Sequence, residues 1–300
     1  MASMLALSTS FGAALPVPAL LDALARSGAG GVVLDARLDP ARLEAIERAL
    51  LKSGSSSLFA SDSSSLLILE APCPAGRASS AALCALDRAE ADVALAAALA
   101  TVRRAGALGA RFVVLRLGAA AGLAAEWILA RDRFLRGALD EDLARRLLDA
   151  RDAAGWRPLD AARRALERLA RAAESLGVTL VIPNPRRFVE LPSPTELELL
   201  LADAAGAPLA PSFDLPAAHL ADVMGLYPLE LTLAAFAPRA PLVFVGDACG
   251  PVGALAPGRG LLDVAALAAR LPADAARAFS PWPGLTTDEV TEAVTRLTAL

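Results

Sequence analysis

Three acidic residues end or follow short apolar runs, where a sheet of parallel strands could carry chemistry. Glu70 ends the run LLILE, Asp214 ends APLAPSFD, and Asp247 follows PLVFVG. A carboxyl group in such a position can move a proton as a general acid or base, or bind a ligand by hydrogen bonds. Glu70 and Asp214 are therefore candidate acid–base residues, and Asp247 is a candidate binding residue. For Asp214 the alternative is a structural role, as a helix N-cap or in an ion pair with a loop arginine.

Arginine residues occupy comparable positions: Arg116 in VVLRLG, Arg186 in PNPRRF and Arg259 in PGRG. If these side chains meet at one edge of the sheet, their paired N–H donors suit a phosphate, a carboxylate or another small anion. The alternative is that each arginine pairs with a nearby acid, as Arg116 can with Glu70 or Asp214. Both interpretations are compatible with the sequence.

His219 is the only histidine of the chain, five residues after Asp214 in PSFDLPAAHLADVMG. A histidine near an acid raises the question of a metal site or a Ser–His–Asp triad. No serine lies in a nucleophile-elbow motif, and one histidine cannot supply the multi-histidine cluster of a zinc nuclease. His219 is a candidate ligand-binding residue, with a packing or surface position as the alternative.

The composition favours a globular protein without a nucleic-acid partner. Of the 300 residues, 55% are hydrophobic and 21% are charged, and the net charge is −4. Such a chain can bury a large core, and it offers no basic patch for a phosphate backbone. All basic residues except Lys52 are arginine, a usage typical of a GC-rich, bacterial genome.

The sequence also predicts a cytoplasmic location. Cys73, Cys84 and Cys249 have no ligand spacing, which predicts buried thiols in a reducing compartment. The apolar N-terminus has no preceding basic residue and is interrupted by Ser, Gly and Pro, unlike a signal peptide. Other apolar runs, such as VALAAALATV, are too short to cross a bilayer. We expect no membrane partner, and the sequence is compatible with a homo-oligomer.

Eight apolar runs alternate with amphipathic segments. They predict strands at residues 4–8, 31–36, 65–72, 111–118, 178–185, 207–214, 241–248 and 276–282. Their nearly continuous Val, Leu and Ile content indicates parallel strands buried on both faces. Eight such βα units close most naturally as a (β/α)8 TIM barrel. An open doubly wound sheet is the alternative, but no GxGxxG or GxxxxGK[ST] loop follows a strand. We predict one α/β TIM-barrel domain over residues 1–300, with a helical excursion around 120–157.

Helix ends and loops have their own signals. Asp39 before Pro40 predicts a capped helix start, and Thr286 or Thr287 before Glu289 predicts a capping box. Residues 81–109 predict a long helix, 159–177 predict a helix separate from the excursion, and the serine-rich residues 53–65 predict a loop.

The second half of the chain resembles a known family in several consecutive segments. They are ALERLARAAESLGVTLVIPN, PLAPSFDLPAAHLADVMG, PLVFVGDACG and ALAPGRGLLDVAALAARL, with TVRRAGALGARFVVLRLG as a weaker match. These segments resemble the xylose-isomerase-like TIM barrels, which include sugar and sugar-phosphate isomerases and epimerases and the endonuclease IV branch. The resemblance covers roughly two-thirds of the chain. It implies the same fold.

The resemblance also implies a divalent metal, held by Glu, Asp, His and Glu from strands five to eight. Carried onto this chain, only the strand-six acid is kept, as Asp214. The strand-five Glu falls at Pro183 or Asn184, the strand-seven His at Phe244, and the strand-eight Glu near Ser280. Asn184 is therefore a candidate binding residue in place of a metal ligand.

Three further positions differ from the family pattern. The His that usually follows the strand-six Asp falls at Ala217, the central acid of the family's Gly-rich loop is Arg259, and Arg116 stands where a His is common. One carboxylate binds a divalent ion weakly, because several donors must offset the loss of water. We expect no cofactor, or at most weakly held Mn, Mg or Zn.

The sequence therefore favours a xylose-isomerase-like barrel that has lost the usual metal site. Such a chain would be a non-catalytic or small-anion-binding paralogue, with a small polar or anionic molecule as its partner. The alternative is an active isomerase or epimerase of a sugar or sugar phosphate, with a rearranged or metal-free acid–base site. The third interpretation is a scaffold whose apolar helices mediate assembly, with the barrel mouth closed.

Overall fold

A computed structural model of the chain describes residues 4–53, 66–75 and 81–300. Eight parallel strands close into a barrel in which each strand pairs with the next along the chain and the last pairs with the first. The strands are β1 Leu5–Ser8, β2 Gly31–Leu34, β3 Leu66–Ala71, β4 Phe112–Leu115, β5 Thr179–Pro183, β6 Leu209–Asp214, β7 Leu242–Phe244 and β10 Ala276–Phe279. The predicted TIM barrel is confirmed.

Helices surround the barrel. They are α1 Val17–Arg26, α2 Pro40–Ser53, α3 Arg88–Leu108, α4 Ala124–Leu135, α5 Glu141–Glu174, α6 Pro194–Asp203, α7 Leu215–Val223, α8 Leu229–Phe236, α9 Val264–Ala268 and α10 Thr287–Thr298. An antiparallel hairpin of β8 Asp247–Cys249 and β9 Val252–Leu255 lies between β7 and β10 in the chain. No helix in the described ranges combines the length and apolarity needed to cross a membrane.

The strands are apolar on both faces because each face belongs to a different core. One cluster fills the barrel interior and includes Val33, Ile68, Val114 and Val181. The residues that follow each of them, Leu34, Leu69, Leu115 and Ile182, pack in the larger cluster between strands and helices. Alternate side chains of a strand point to opposite faces, so this division also fixes which later residues face the barrel mouth.

Several predicted helix signals are present as real caps. Asp39 Oδ1 accepts the N–H of Arg42 at 2.9 Å, at the start of α2. Thr286 and Glu289 form the predicted capping box of α10. The long helix α3 begins later than predicted, at Arg88, because the side chain of Asp87 accepts the N–H of Glu90 and caps it there. Except for Ser53 at the end of α2, the predicted serine-rich loop lies outside the described residues.

The predicted break between the helical excursion and the next helix is absent. One helix, α5, runs from Glu141 to Glu174 with Pro158 inside it. An internal proline costs a helix about 3 kcal/mol or more. The buried stripe nevertheless keeps its helical spacing across the proline, through Leu147, Arg151, Gly155, Leu159 and Ala162. Packing along this uninterrupted stripe offsets the cost of the proline.

The cysteine prediction is correct for two residues. Cys73 and Cys84 are buried, whereas Cys249 is exposed. Cys249 ends β8, which pairs only with β9 outside the barrel sheet. Because Cys249 is exposed, the prediction of a buried thiol is wrong there.

Candidate functional site

The alternation of the strands brings charged residues to the carboxyl-terminal mouth of the barrel. Two positions beyond the interior residues Val33, Ile68 and Val114 stand Asp35, Glu70 and Arg116. A cavity of about 530 Å³ opens there, and its charged lining residues are Asp35, Arg37, Glu70, Arg116, Arg186 and Asp214. TIM barrels place their active sites at this end. The structure thus brings together Glu70, Arg116, Arg186 and Asp214 of the predicted site residues.

Asp214 lies at the centre of this charged group. Its Oδ1 accepts the N–H of Ala217 at 3.2 Å and so caps α7. Its Oδ2 lies 3.2 Å from Nε of Arg186 and 3.5 Å from Nη2 of Arg116. Only 4% of the residue is exposed. Both structural roles considered from the sequence are therefore present, on a residue that also lines the cavity.

Arg186 reaches Asp214 because hydrogen bonds to Glu190 and Arg151 hold the loop after β5 in place. Glu190 Oε2 accepts the N–H of Arg186 at 2.8 Å. The carbonyl of Glu190 accepts Nη2 of Arg151, a fully buried residue of α5, at 3.0 Å. Arg151 is held in turn by a two-point ion pair with Glu196. Burial lowers the pKa of Arg186, but Asp214 and Glu70 outweigh it, so the pKa lies above its ordinary value.

Asp35 and Arg37 form the second ion pair of the mouth. Oδ1 and Oδ2 of Asp35 accept Nε and Nη2 of Arg37 at 2.7 and 2.8 Å. Burial alone would raise the pKa of Asp35, but the hydrogen bonds from Arg37 hold it below its usual value. Neither residue was predicted from the sequence as part of the site. The sequence carried a signal for Asp35, because this acid follows an apolar run just as Glu70 ends one. In the barrel the two acids are neighbours, since the residues before them, Leu34 and Leu69, are paired.

Glu70 and Arg116 are less completely satisfied. Glu70 is 8% exposed, and its Oε1 is buried without a hydrogen-bond partner among the described residues. The same holds for Nη2 of Arg116, whose 3.5 Å approach to Asp214 is an ion pair without a hydrogen bond. Burial raises the pKa of Glu70, and Arg116 and Arg186 offset this only in part. Burial and the nearby Arg186 lower the pKa of Arg116.

Asn184 is placed beside the mouth but does not line the cavity. Val181 faces the barrel interior, so Pro183, two residues later, faces the same way and Asn184 faces the opposite way. Its Nδ2 donates to the carbonyl of Asp214 at 3.1 Å, and its Oδ1 accepts the N–H of Asp214 at 2.6 Å. Asn184 is fully buried. Its side chain thus braces the end of β6 and positions the carboxylate of Asp214.

Asp247 is also buried and works as a loop organiser. Its Oδ1 accepts the N–H of Ala248 at 2.8 Å and that of Leu262 at 3.0 Å, and its Oδ2 accepts those of Gly258 and Gly260, each at 2.9 Å. A Cβ at position 260 would collide with Asp247 Oδ1 and the Ala248 carbonyl, so the loop needs glycine there. The carboxylate therefore folds the loop 258–262 around itself, away from the cavity lining.

His219 and Arg259 are likewise outside the cavity lining. Arg259 is exposed and donates from Nη2 to Glu289 Oε1 of α10 at 3.2 Å. His219 lies in the second turn of α7, half-buried, with its Nε2 buried and without a hydrogen-bond partner in the described part of the chain. The structure thus separates Asp247, His219 and Arg259 from the group around Asp214.

The donor set at the mouth does not fit a divalent ion. Pro183 stands at the strand-five position, Phe244 is part of the apolar interior, and Ser280 lines the cavity with a neutral side chain. Asp214, the remaining family ligand, has two guanidinium groups at its Oδ2, and these repel a cation. Residues 4–53, 66–75 and 81–300 contain no group of three or more His, Cys, Asp or Glu side chains that could hold a metal.

The opposite wall of the cavity is mostly apolar. It is formed by Gly253 and Ala254 of the β8–β9 hairpin and by Pro281 and Trp282 after β10. The N–H of Trp282 donates to the carbonyl of Ala254 at 3.0 Å and joins the two segments. Trp282 is 61% exposed. The mouth therefore offers a large aromatic surface that the low aromatic content of the chain did not suggest.

Comparisons with known proteins agree with this architecture. No protein-family model and no curated protein sequence matches the chain. A D-tagatose 3-epimerase-like protein matches in structure with a TM-score of 0.69 and 13% identity, covering 99% of this chain and 96% of the other. An L-ribulose 3-epimerase matches with a TM-score of 0.64 and 18% identity, covering 98% of this chain and 91% of the other. The 3-keto-D-glucoside 4-epimerase of E. coli matches with a TM-score of 0.64 and 12% identity, covering 99% of this chain and 100% of the other.

Sequence identities this low carry information on architecture alone. The match covers nearly the whole length of each of these barrels, and the strand order is the closed parallel order expected from the resemblance. The chain therefore has the xylose-isomerase-like TIM-barrel fold.

Proposed function

We propose that the barrel mouth binds a small molecule with an acidic group, such as a sugar phosphate or a sugar acid, without a divalent metal. The protein would then be a binding paralogue of the sugar epimerases that share its fold. The observation that carries the proposal is Nη2 of Arg116, a buried donor at the cavity wall with no hydrogen-bond partner among the described residues. A buried donor left unpaired costs about 1–3 kcal/mol, and an anionic oxygen in the cavity would remove this cost.

Arg186 supports the same proposal. Nε of Arg186 donates to Asp214, which leaves the other N–H groups of this half-exposed guanidinium for a ligand. Two guanidinium groups that converge from β4 and from the loop after β5 suit the oxygens of a phosphate or carboxylate group. Trp282, on the opposite wall, offers its ring to the apolar face of a sugar.

The ion pairs of Asp214 support binding without a metal. A divalent ion at Asp214 would have to displace both Arg116 and Arg186 from its Oδ2. It would gain few ligands in return, since Pro183, Phe244 and Ser280 stand at the other family positions. Guanidinium groups in place of a metal make the mouth attractive to anions.

A second candidate function is metal-free proton transfer by Glu70. The observation in its favour is the buried carboxyl with an unpartnered Oε1 in the same cavity. Glu70 would remove a proton from a carbon next to a carbonyl, and Arg116 would stabilise the resulting enolate oxygen. Exchange of that C–H with deuterated water, followed by NMR on ketose phosphates, tests this candidate. No exchange above that of Glu70→Gln would exclude it for those substrates.

The anion-binding proposal is tested by thermal unfolding with three additions: a hexose phosphate, the free hexose and MnCl2. A ligand that binds only the folded protein stabilises it by about 2.7 kcal/mol at 100 times its Kd. We expect the hexose phosphate to raise the Tm of the wild type and of Arg259→Gln, but not of Arg116→Gln. Arg259 is the matched control because it is an exposed arginine paired outside the cavity. A rise with MnCl2 alone would contradict the proposal.

A further inference from the structure

The cavity contains two unsatisfied buried atoms of opposite charge type. One is Nη2 of Arg116, which can only donate a hydrogen bond. The other is Oε1 of Glu70, which accepts when the carboxyl is ionised and can donate when it is protonated. Both residues line the same cavity, and they are not hydrogen-bonded to each other. A ligand atom that contacts both must therefore match the protonation state of Glu70.

An oxygen of a fully deprotonated anion, such as sulfate, can only accept hydrogen bonds. It satisfies Arg116 Nη2 in either state, but it satisfies Glu70 only if the carboxyl carries a proton and donates it. If Glu70 is ionised, the anion meets a second negative charge in a poorly solvated cavity, and the repulsion is large. A neutral hydroxyl behaves differently, because it can accept from Arg116 and donate to an ionised Glu70.

The charges that face Glu70 come from every side of the mouth. Asp35 lies beyond β2, Arg116 follows β4, Arg186 lies in the loop after β5, and Asp214 ends β6. With Arg37, which pairs with Asp35, the cavity holds three arginines and three acids. The charge is balanced when Glu70 is ionised and is +1 when it is protonated (three Arg minus two Asp). Only the protonated state leaves a net charge that attracts an anion.

We propose that Glu70 takes up a proton when an anion binds beside Arg116, so that the site binds an anion and a proton together. The carboxyl then donates from Oε1 to the anion, and Arg116 donates to the same group. This inference rests on the proposed anion-binding function and adds its ligand specificity. With Glu70 protonated the site selects an acceptor-only, anionic group, and with Glu70 ionised it favours a hydroxyl, so Glu70 is the residue that makes the selection.

The direction of the pH dependence follows from linkage. The bound anion favours the protonated form of Glu70, so its affinity is greatest at low pH and falls as the pH rises. The fall is at most tenfold per pH unit for one coupled proton. Burial already raises the pKa of Glu70, which brings this window closer to neutral pH. The hydrogen bonds from Arg37 hold the pKa of Asp35 below its usual value, so Asp35 does not compete for this proton.

Isothermal titration with sulfate tests the inference, because sulfate itself does not take up a proton near neutral pH. Binding enthalpies are measured at one pH in two buffers with different ionisation enthalpies, and their difference gives the number of protons taken up. The series runs from about pH 5 to pH 9 on wild type, Glu70→Gln and Glu198→Gln. Glu198 is the matched control, an exposed glutamate paired with Arg239 on the surface.

We expect wild type and Glu198→Gln to take up close to one proton per sulfate within this range, with an affinity that falls as the pH rises. Glu70→Gln should bind sulfate with little pH dependence and no proton uptake. Sulfate binding to wild type without proton uptake at any pH would overturn the inference and leave the anion site intact. Absence of sulfate binding to wild type would overturn both proposals. The wild-type result decides the matter even if Glu70→Gln fails to fold.

Discussion

Asn184 holds the backbone of Asp214 at both of its hydrogen-bonding groups. The amide donates to the carbonyl at 3.1 Å and accepts the N–H at 2.6 Å. The carboxylate of Asp214 is thereby fixed in front of Arg116 and Arg186. In the family that the sequence resembles, this end of strand five supplies a metal ligand. Here its side chain braces the neighbouring strand, which fits a mouth built around guanidinium groups.

Replacement of Asn184 by Ala should destabilise the protein through this brace. The substitution removes two hydrogen bonds and leaves the buried N–H and C=O of Asp214 unpaired. We expect the free energy of unfolding to fall by about 2–4 kcal/mol, measured by urea denaturation. A loss below about 0.5 kcal/mol, as is usual for a surface substitution, would mean that the brace has no structural weight.

Asp247→Ala should loosen the loop 258–262 specifically. Four backbone N–H groups lose their acceptor, so the amides of Gly258, Gly260 and Leu262 should exchange with deuterated water much faster. Asp263→Ala is the control, since Asp263 caps α9 through one N–H and should cost about 1 kcal/mol. Unchanged exchange at these three amides in Asp247→Ala would show that the carboxylate does not hold the loop.

Glu70→Gln should stabilise the protein at neutral pH and have no effect in acid. A folded-state pKa above the ordinary value of 4.5 means that the folded state holds this proton more tightly than the unfolded state. The corresponding stability is complete below about pH 4.5 and is lost as the pH rises through the folded-state pKa. Glutamine cannot ionise and avoids the loss. Urea denaturation at several pH values should show that the free energy of unfolding of Glu70→Gln exceeds that of wild type by an amount that grows with pH. A difference that shrinks as the pH rises would contradict a buried carboxyl with a raised pKa.

Of the three cysteines, Cys249 should be the reactive one. Burial raises the pKa of Cys73 to about 12 and that of Cys84 to about 11, so neither forms much thiolate near neutral pH. Cys249 is exposed. A thiol reagent such as DTNB should modify one cysteine of the native protein rapidly and the other two only after unfolding. Cys249→Ser should abolish the rapid phase, and its persistence would contradict the burial of Cys73 or Cys84.

The barrel could be predicted because its signals are local and repeated. Each strand is a short apolar run, and caps such as Asp39 and Thr286 mark helix starts. The continuous helix α5 was missed because Pro158 is a local break signal. What overrides it is the spacing of buried residues over many turns, a property of packing against the barrel that the local pattern of residues does not display.

The site was only partly predictable, since alternate residues of a strand face opposite sides and the sequence does not show which of them face the barrel interior. The sequence left Pro183 and Asn184 as equal candidates for one ligand position, and the barrel interior assigns the inward parity to Pro183. Asp247 also follows a strand, but its partners are N–H groups up to 15 residues further along the chain. Arg259 belongs to a loop whose direction no local pattern encodes, and it pairs with Glu289 instead of facing the cavity.

The central claim, that Arg116 binds an anion at the barrel mouth, is tested most directly by the Kd for inorganic phosphate. This Kd is measured by isothermal titration of wild type, Arg116→Gln and Arg259→Gln at one pH and one ionic strength. We expect wild type and Arg259→Gln to bind phosphate with equal Kd. The Kd of Arg116→Gln should be at least about tenfold higher, equivalent to about 1.4 kcal/mol. Equal phosphate affinity in all three proteins, or no binding to wild type, would contradict the claim.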